Sequence, residues 1–316
     1  VSERPRRGAA IHERTSVLDL VAGRLDPTVS AFRGPARLTY GSVREALRTD
    51  RRAQVGAGLF VLLLMMAAYG GLASPLVGRA DDALRAPSFE HPFGTDALGR
   101  DLLAALLQGS FPTLSVAAAA GLGATALGYA LGVLAGVARG AVDVVVLRLA
   151  ETLTAIPSLL LVLIAQALIP APNEWSLLVV VVLTRWAEVA LVIRADVLRV
   201  VQLDHVTAAR ALGAGPGRLL ARHVLPSVFA SAAVLASFGV GAVMVIETAV
   251  AVVGVGYVHP LAWGALLGQA RSHPGAWWLI GFPASLVALT LAATVLFGEA
   301  IRDTLDPRRR FGAARR

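Results

Sequence analysis

"HVTAARALGAGPGRLLARHVLP", residues 205–226, separates two long apolar runs of the chain. It is too rich in alanine, glycine and arginine to span a bilayer, and too short to build a domain. Residues 206–212 are good helix material. Gly213 can take the left-handed conformation that ends a helix, and Pro216 suits the first position of the next. Residues 218–224 then read as a second short helix, with Pro226 at the entry to the following apolar run. The product is a helix–turn–helix knob with small alanines on one side and arginines on the other. On these residues alone two readings stand. One is a knob that seats in a groove of another protein; the other is a surface loop with incidental helicity.

The surroundings are those of a membrane protein. The 316 residues are 56% hydrophobic and 16% charged, with a mean hydropathy of +0.68. A soluble chain of that length needs far more charge to coat its surface. Cysteine is absent, which excludes disulfides, thiolate metal sites and a cysteine nucleophile. All 29 basic residues are arginine. A phosphate-binding P-loop requires lysine, so the chain is not itself such an ATPase.

A helix needs about 20 apolar residues to cross a hydrocarbon core roughly 30 Å thick. Six stretches approach this: 55–73, 111–137, 144–169, 175–193, 227–253 and 277–297. Each is expected to be a helix, because lipid offers no partner to an open backbone. With the N-terminus inside, Arg79, Arg85, Arg100 and Arg271 lie outside and Arg185 lies within the fourth span. Every other arginine falls in an inner segment or at the inner end of a span. This positive-inside bias predicts that both termini are cytoplasmic. It also accounts for the net charge of +8 without invoking nucleic acid. The first residues carry no long apolar run, so no cleavable signal peptide is expected. The expected organisation is an arginine-rich cytoplasmic extension (1–50) whose end, 42–52, forms an interfacial helix. A first span and outer loop (51–110), a transport domain (111–300) and a basic cytoplasmic tail (301–316) follow.

Within the spans, Ala120, Ala124, Gly128, Gly132 and Gly136 recur every four residues and share one helix face, where two backbones can approach closely. Arg185 and Glu188 are three apart and can neutralise each other. Glu247 lies inside the fifth span, where an ionisable group faces a partner or a water-filled path; it reads as a pathway or gate residue, or as a structural carboxylate. His91, Asp96, Asp101, His259 and His273 fall on the outer side. They could supply ligands for a metal, but residues 91–101 read better as an ordered loop, with turns at Gly94 and Gly99 and an anchor at Arg100 and Asp101. Trp263, Trp277 and Trp278 suit an outer aromatic belt. No zinc-protease His-Glu-x-x-His appears; Ile11–Arg14 lacks the second histidine. There is no Gly-x-Ser-x-Gly elbow either.

The opening segment, from Thr207 on, resembles the cytoplasmic EAA loop of ABC-importer permeases: acidic-Ala-Ala, three residues, Gly, nine residues, aliphatic, any residue, Leu-Pro. Ala208, Ala209, Gly213, Leu225 and Pro226 match; Thr207 replaces the acidic residue and His223 the aliphatic one. "HPFGTDALGRD", residues 91–101, resembles the outer-loop signature of the dipeptide/oligopeptide/nickel permeases, in the C-type subunit. Its matching residues are His91, Gly94, Thr95, Asp96, Gly99, Arg100 and Asp101. "AIPSLLL", "WGALL" and "FGEAIRDTLDPR" are similar to further segments of that family. "ETAVAVVGVG" keeps Glu247, Gly254 and Gly256 but has Ala251 and Val252 for the usual Ser-Phe. The resemblance covers about residues 50–310.

It implies an all-α permease of the type I importer architecture, with about six spans, multi-pass in a bacterial cell membrane. The partners it implies are a homologous second permease, two cytoplasmic ABC ATPase subunits and an extracytoplasmic binding protein. ATP and Mg would sit on the ATPases, leaving no cofactor or metal on this chain. Thr207, Ala208, Ala209, Gly213, Leu225 and Pro226 would form the loop that couples to the ATPase. The cargo would be a dipeptide, an oligopeptide or a related solute such as a nickel chelate. The competing class is a stand-alone secondary transporter or channel, which often shows internal repeats; no clear repeat is visible, and the loop would then have no use.

Overall fold

The computed structural model describes residues 51–305, apart from 74, 75 and 77. The extension over 1–50, the start of the interfacial helix and the tail beyond 305 lie outside the described residues. Arg51 and Arg52 already belong to the first helix, α1, Arg51–Leu72.

The described residues form helices joined by short connections. After α1 come α2 (Leu102–Ala138), α3 (Gly140–Thr154), α4 (Ser158–Leu168) and α5 (Glu174–Val200). The knob is α6 (Asp204–Ala211), α7 (Pro216–Leu219) and a π-helical turn (Leu220–Val224). Then follow α8 (Leu225–Val253), α9 (Trp263–Gln269) and α10 (Trp278–Leu305). Among the described residues, five unbroken segments are long and apolar enough to cross a membrane: α1, α2, α5, Pro216–Val253 and α10. At 37 residues, α2 is about 55 Å long at 1.5 Å per residue, so it projects beyond the hydrocarbon.

The expected third span, 144–169, is not one helix. It is α3 and α4, bent by 87° at Ala155–Pro157. Pro157 disfavours helical geometry at Ile156 and cannot donate to the preceding turn. The two pieces make a broken or re-entrant crossing. The knob also differs from expectation at its second half. Residues 216–224 are not a separate helix; they run into α8 as one continuous segment. Pro226 lacks an N–H, and the wide π turn just before it absorbs the mismatch.

The helix ends follow from local chemistry. Asp101 accepts from the Ala104 N–H at 2.9 Å and caps α2. Asn173 and Ser176 form a reciprocal capping box at the start of α5. Gly254, at φ 78°, closes α8 in the left-handed region, and the Arg271 guanidinium donates to the exposed Val252 and Val253 carbonyls.

The small-residue ladder of α2 is the seam with α5. A Cβ on Gly128 would lie 2.6 Å from the Trp186 carbonyl oxygen, one on Gly132 2.7 Å from that of Ala190, and one on Gly136 2.7 Å from Val197 Cβ. Ala120 and Ala124 are buried on the same face. Gly121 gives α8 the same access, at 2.9 Å from the Val240 backbone. On α1, Gly70 presses against the Leu107 and Gln108 carbonyls; the Gln108 carbonyl is the one that Pro112, lacking an N–H, leaves without its helical donor. Phe60 of α1 stacks on Phe297 of α10 at 4.9 Å. Ser237 of α8 donates to the Thr294 carbonyl of α10 at 2.6 Å.

Candidate functional site

The knob is built outward from one buried valine. Val206 is fully buried among Val189, Ile193, Val197 and Val200 of α5 and Leu219, Val224 and Val228 of the segment that becomes α8. This cluster makes the knob a rigid extension of α5 and α8. The turn after α6 satisfies the last carbonyls in a Schellman pattern: Gly213 N–H donates to Arg210 at 3.0 Å and Ala214 N–H to Ala209 at 3.1 Å. Gly213 holds φ at 86°, as the sequence predicts. Pro216 is at the first position of α7, also as predicted. The two motif alanines face different ways. Thr207 and Ala208 are exposed, whereas Ala209 turns back and packs on the Val206 cluster.

The outermost apolar group of the knob is Leu212, 89% exposed. No motif argument singled it out. The signal available was its place beside the glycine that ends α6, where a side chain projects from the tip of the turn. Leu225 and Pro226 stand inside the helix and not in a loop. The Tyr129 hydroxyl of α2 donates to the Leu225 carbonyl at 3.2 Å, tying the widened turn to α2. Beside the knob, a cleft of about 430 Å³ lies between the end of α2 and residues such as Val206, Arg210 and Pro216.

At the other end of α8, the outer signature forms a locked loop. Thr95 and Asp96 are fully buried. The Asp96 carboxylate accepts from the Leu98 and Arg100 N–H groups, both at 2.9 Å, and pairs with the Arg100 guanidinium at 2.6 Å. Thr95 donates to the Asp82 carbonyl and accepts from Arg85 N–H. Its own carbonyl takes the Trp278 indole N–H at 3.0 Å. Gly94 and Gly99 both have positive φ, and a Cβ on Gly99 would strike the Arg79 carbonyl. His91 meets Asp101 at 2.9 Å, so that pair is brought together, as the brace of the α2 cap. His259 and His273 bond elsewhere, to Leu261 N–H and toward the Gln269 carbonyl. Burial pushes the His259 imidazole below its usual range, with Glu174 opposing. Among the described residues no three acidic or imidazole groups converge as metal ligands.

The tryptophans divide. Trp277 is exposed as a belt residue would be, whereas Trp263 and Trp278 are buried. Trp263 donates its indole N–H to the Leu106 carbonyl at 2.8 Å and its backbone N–H to Thr113. Trp263 fastens α9 to α2, and Trp278 fastens the start of α10 to the loop before α2. Arg185 pairs with Glu188 at 2.7 Å, as expected. An unforeseen pair, Arg194 with Asp143, joins α5 to α3. Glu247 is 5% exposed, on α8 beside Ile246 of the main core cluster, and its Oε2 has no hydrogen-bond partner among the described residues.

A bundle of membrane-length helices, one crossing broken at a proline, with a rigid knob grafted on two of them, fits a membrane transport subunit. The comparisons with known proteins give the family. Residues 128–311 match the profile of the binding-protein-dependent transport system inner membrane component. The oligopeptide transport system permease protein OppC of Bacillus subtilis is 30% identical over 83% of this chain and 88% of its own. The dipeptide transport system permease protein DppC of the same organism is 32% identical over 84% of each. The probable D,D-dipeptide transport system permease protein DdpC of Escherichia coli is 32% identical over 80% of this chain and 86% of its own. The chain belongs to this family of ABC-importer permeases. It is a multi-pass transport subunit of the bacterial inner membrane, not an enzyme.

Proposed function

We propose that the chain is one of two permeases in a peptide importer, driven by two cytoplasmic ATPase subunits and supplied by an extracytoplasmic binding protein. The peptide assignment is supported by relatives named for oligopeptide and dipeptide transport. The observation that carries the coupling role is the knob itself. It presents Leu212, Ala208 and Thr207 outward while Val206 fixes it to α5 and α8. Closure of the ATPases on ATP would push this knob, and the push would reach α8 and Glu247 as a rigid-body movement. The driving force is the different affinity of nucleotide for the two states. Both termini and the knob are cytoplasmic in this reading, and residues 91–101 face the binding protein's side.

The test is reconstitution with the co-encoded ATPases and binding protein in vesicles. Uptake of labelled tri-alanine that requires both ATP and the binding protein is the expected result. Uptake of a nickel chelate in its place would move the cargo to the metal branch of the family. ATP-independent uptake would remove the ATPase-driven reading.

A further inference from the structure

Three side chains in the core hold polar atoms that meet no hydrogen-bond partner among the described residues. They are Glu247 (Oε2), Thr248 (Oγ1) and Gln166 (both amide atoms). All are nine-tenths buried or more; Gln166 is 1% exposed. Glu247 and Thr248 belong to α8 and Gln166 to α4, the second half of the broken crossing. Val162, one turn before Gln166, shares a core cluster with Ile246 and Val250, which flank Glu247. Gln166 is roofed by Gly256: a Cβ there would lie 2.5 Å from Gln166 Oε1. Above Gly256 opens a cup of about 380 Å³, lined by Ala251, Gly254, Gly256, Val258 and Arg271. Gln166 therefore lies against the floor of a cup at the end of α8 opposite the knob, and Glu247 and Thr248 lie one turn along α8 from Ala251 of its lining.

Buried polar groups cost free energy until a partner reaches them, and an ionisable group inside a span of a transporter is a candidate for the path of its cargo. Their chemistry describes the partner. A carboxylate only accepts and favours a cation; an amide and a hydroxyl both donate and accept. An ammonium followed by an amide, the N-terminal residue of a peptide, satisfies this set. The Arg271 guanidinium turns its Nη1 to the Val252 and Val253 carbonyls, and Glu247 Oε2 has no partner among the described residues, which leaves the carboxylate for the cargo. We propose that Glu247, Gln166 and Thr248 form a station beneath the outer cup that takes the N-terminal ammonium and first peptide group of the cargo when α4 and α8 part. The ligand rests on the peptide reading above.

The absence of cysteine allows a direct test in the assembled importer under ATP turnover. Gln166→Cys is treated with a trimethylammonium or a sulfonate methanethiosulfonate reagent, and modification is followed as a mass shift of this chain. The cationic reagent is expected to react at least tenfold faster, and Glu247→Gln to erase that preference. Binding protein loaded with tri-alanine is expected to slow the modification. Thr248→Cys serves as a second probe should Gln166→Cys fail to assemble, as judged by co-purified ATPase. Equal rates for the two reagents, a preference that survives Glu247→Gln, or no modification at either probe would each overturn the station. A charge preference without protection by tri-alanine would leave the cation site standing and overturn the peptide reading instead.

Discussion

Leu212 spends its whole side chain on solvent at the tip of a turn that is otherwise closed by hydrogen bonds. An aliphatic group held out on a rigid turn is an anchor for a partner's pocket. Leu212→Asp is expected to lower retention of the ATPase subunits at least tenfold, the equivalent of about 1.4 kcal/mol, while the chain still inserts. Co-purification and membrane fractionation measure the two. Gly213→Val forces a β-branched residue to φ 86°, a strain of about 1–3 kcal/mol, with the same expected phenotype from a different cause. Thr207→Glu, at an exposed position, is expected to be tolerated. The glycine and proline punctuation of this turn was legible because backbone conformation follows residue type closely there. The roles of Ala209 and Leu212 were not. A motif states which residues recur, but the direction of each side chain depends on how Val206 seats the helix against α5.

At the scale of elements, spacing predicted best where one face decides everything. The four-residue ladder of α2 is buried along its length, and α5 lies in it with carbonyls at contact distance from Gly128 and Gly132. Gly132→Val adds atoms where 2.7 Å is available. Backbone must move to admit them, so the expected outcome is loss of assembled permease, read by size-exclusion of the detergent-solubilised complex. Gly217→Ala, with open space around it, is the control and should assemble normally. Hydropathy alone failed at the third crossing. A 144–169 window counts apolar residues and is blind to Pro157, which turns the chain by 87°. It was equally blind to Asp143 and Arg194, partners 51 positions apart, because nothing in either local pattern points to the other. Their pairing predicts that Asp143→Asn, which leaves Arg194 without its carboxylate, reduces transport, and that exchanging the two residues restores much of it. A double-mutant cycle on uptake measures the coupling.

At the scale of the whole bundle of described residues, α8 joins the two ends to which the proposals assign function. The knob grows from its first residues, and the cup and its buried polar groups lie at its last. The locked loop over residues 91–101 fixes the N-terminal end of α2 and packs against α9 and α10 through Gln269 and Trp278. On the proposal above, the locked loop and the knob stay rigid while α4 and α8 separate to open a path. This arrangement has a function only if the two ends face opposite compartments. In the proposed orientation, which rests on the arginine distribution, the knob is inside, and with it both termini. In a cysteine-free chain single introduced thiols report this directly. Cysteines at Ser88 and Ser272, both exposed at the outer end, should react with a membrane-impermeant maleimide in intact cells. A cysteine at Ala211, exposed on the knob, should react only after the membrane is breached. Labelling of Ala211→Cys in intact cells, with Ser88→Cys protected, would invert the molecule. The knob would then face away from any ATP-hydrolysing partner, and its rigid attachment to α5 and α8 would have nothing to transmit.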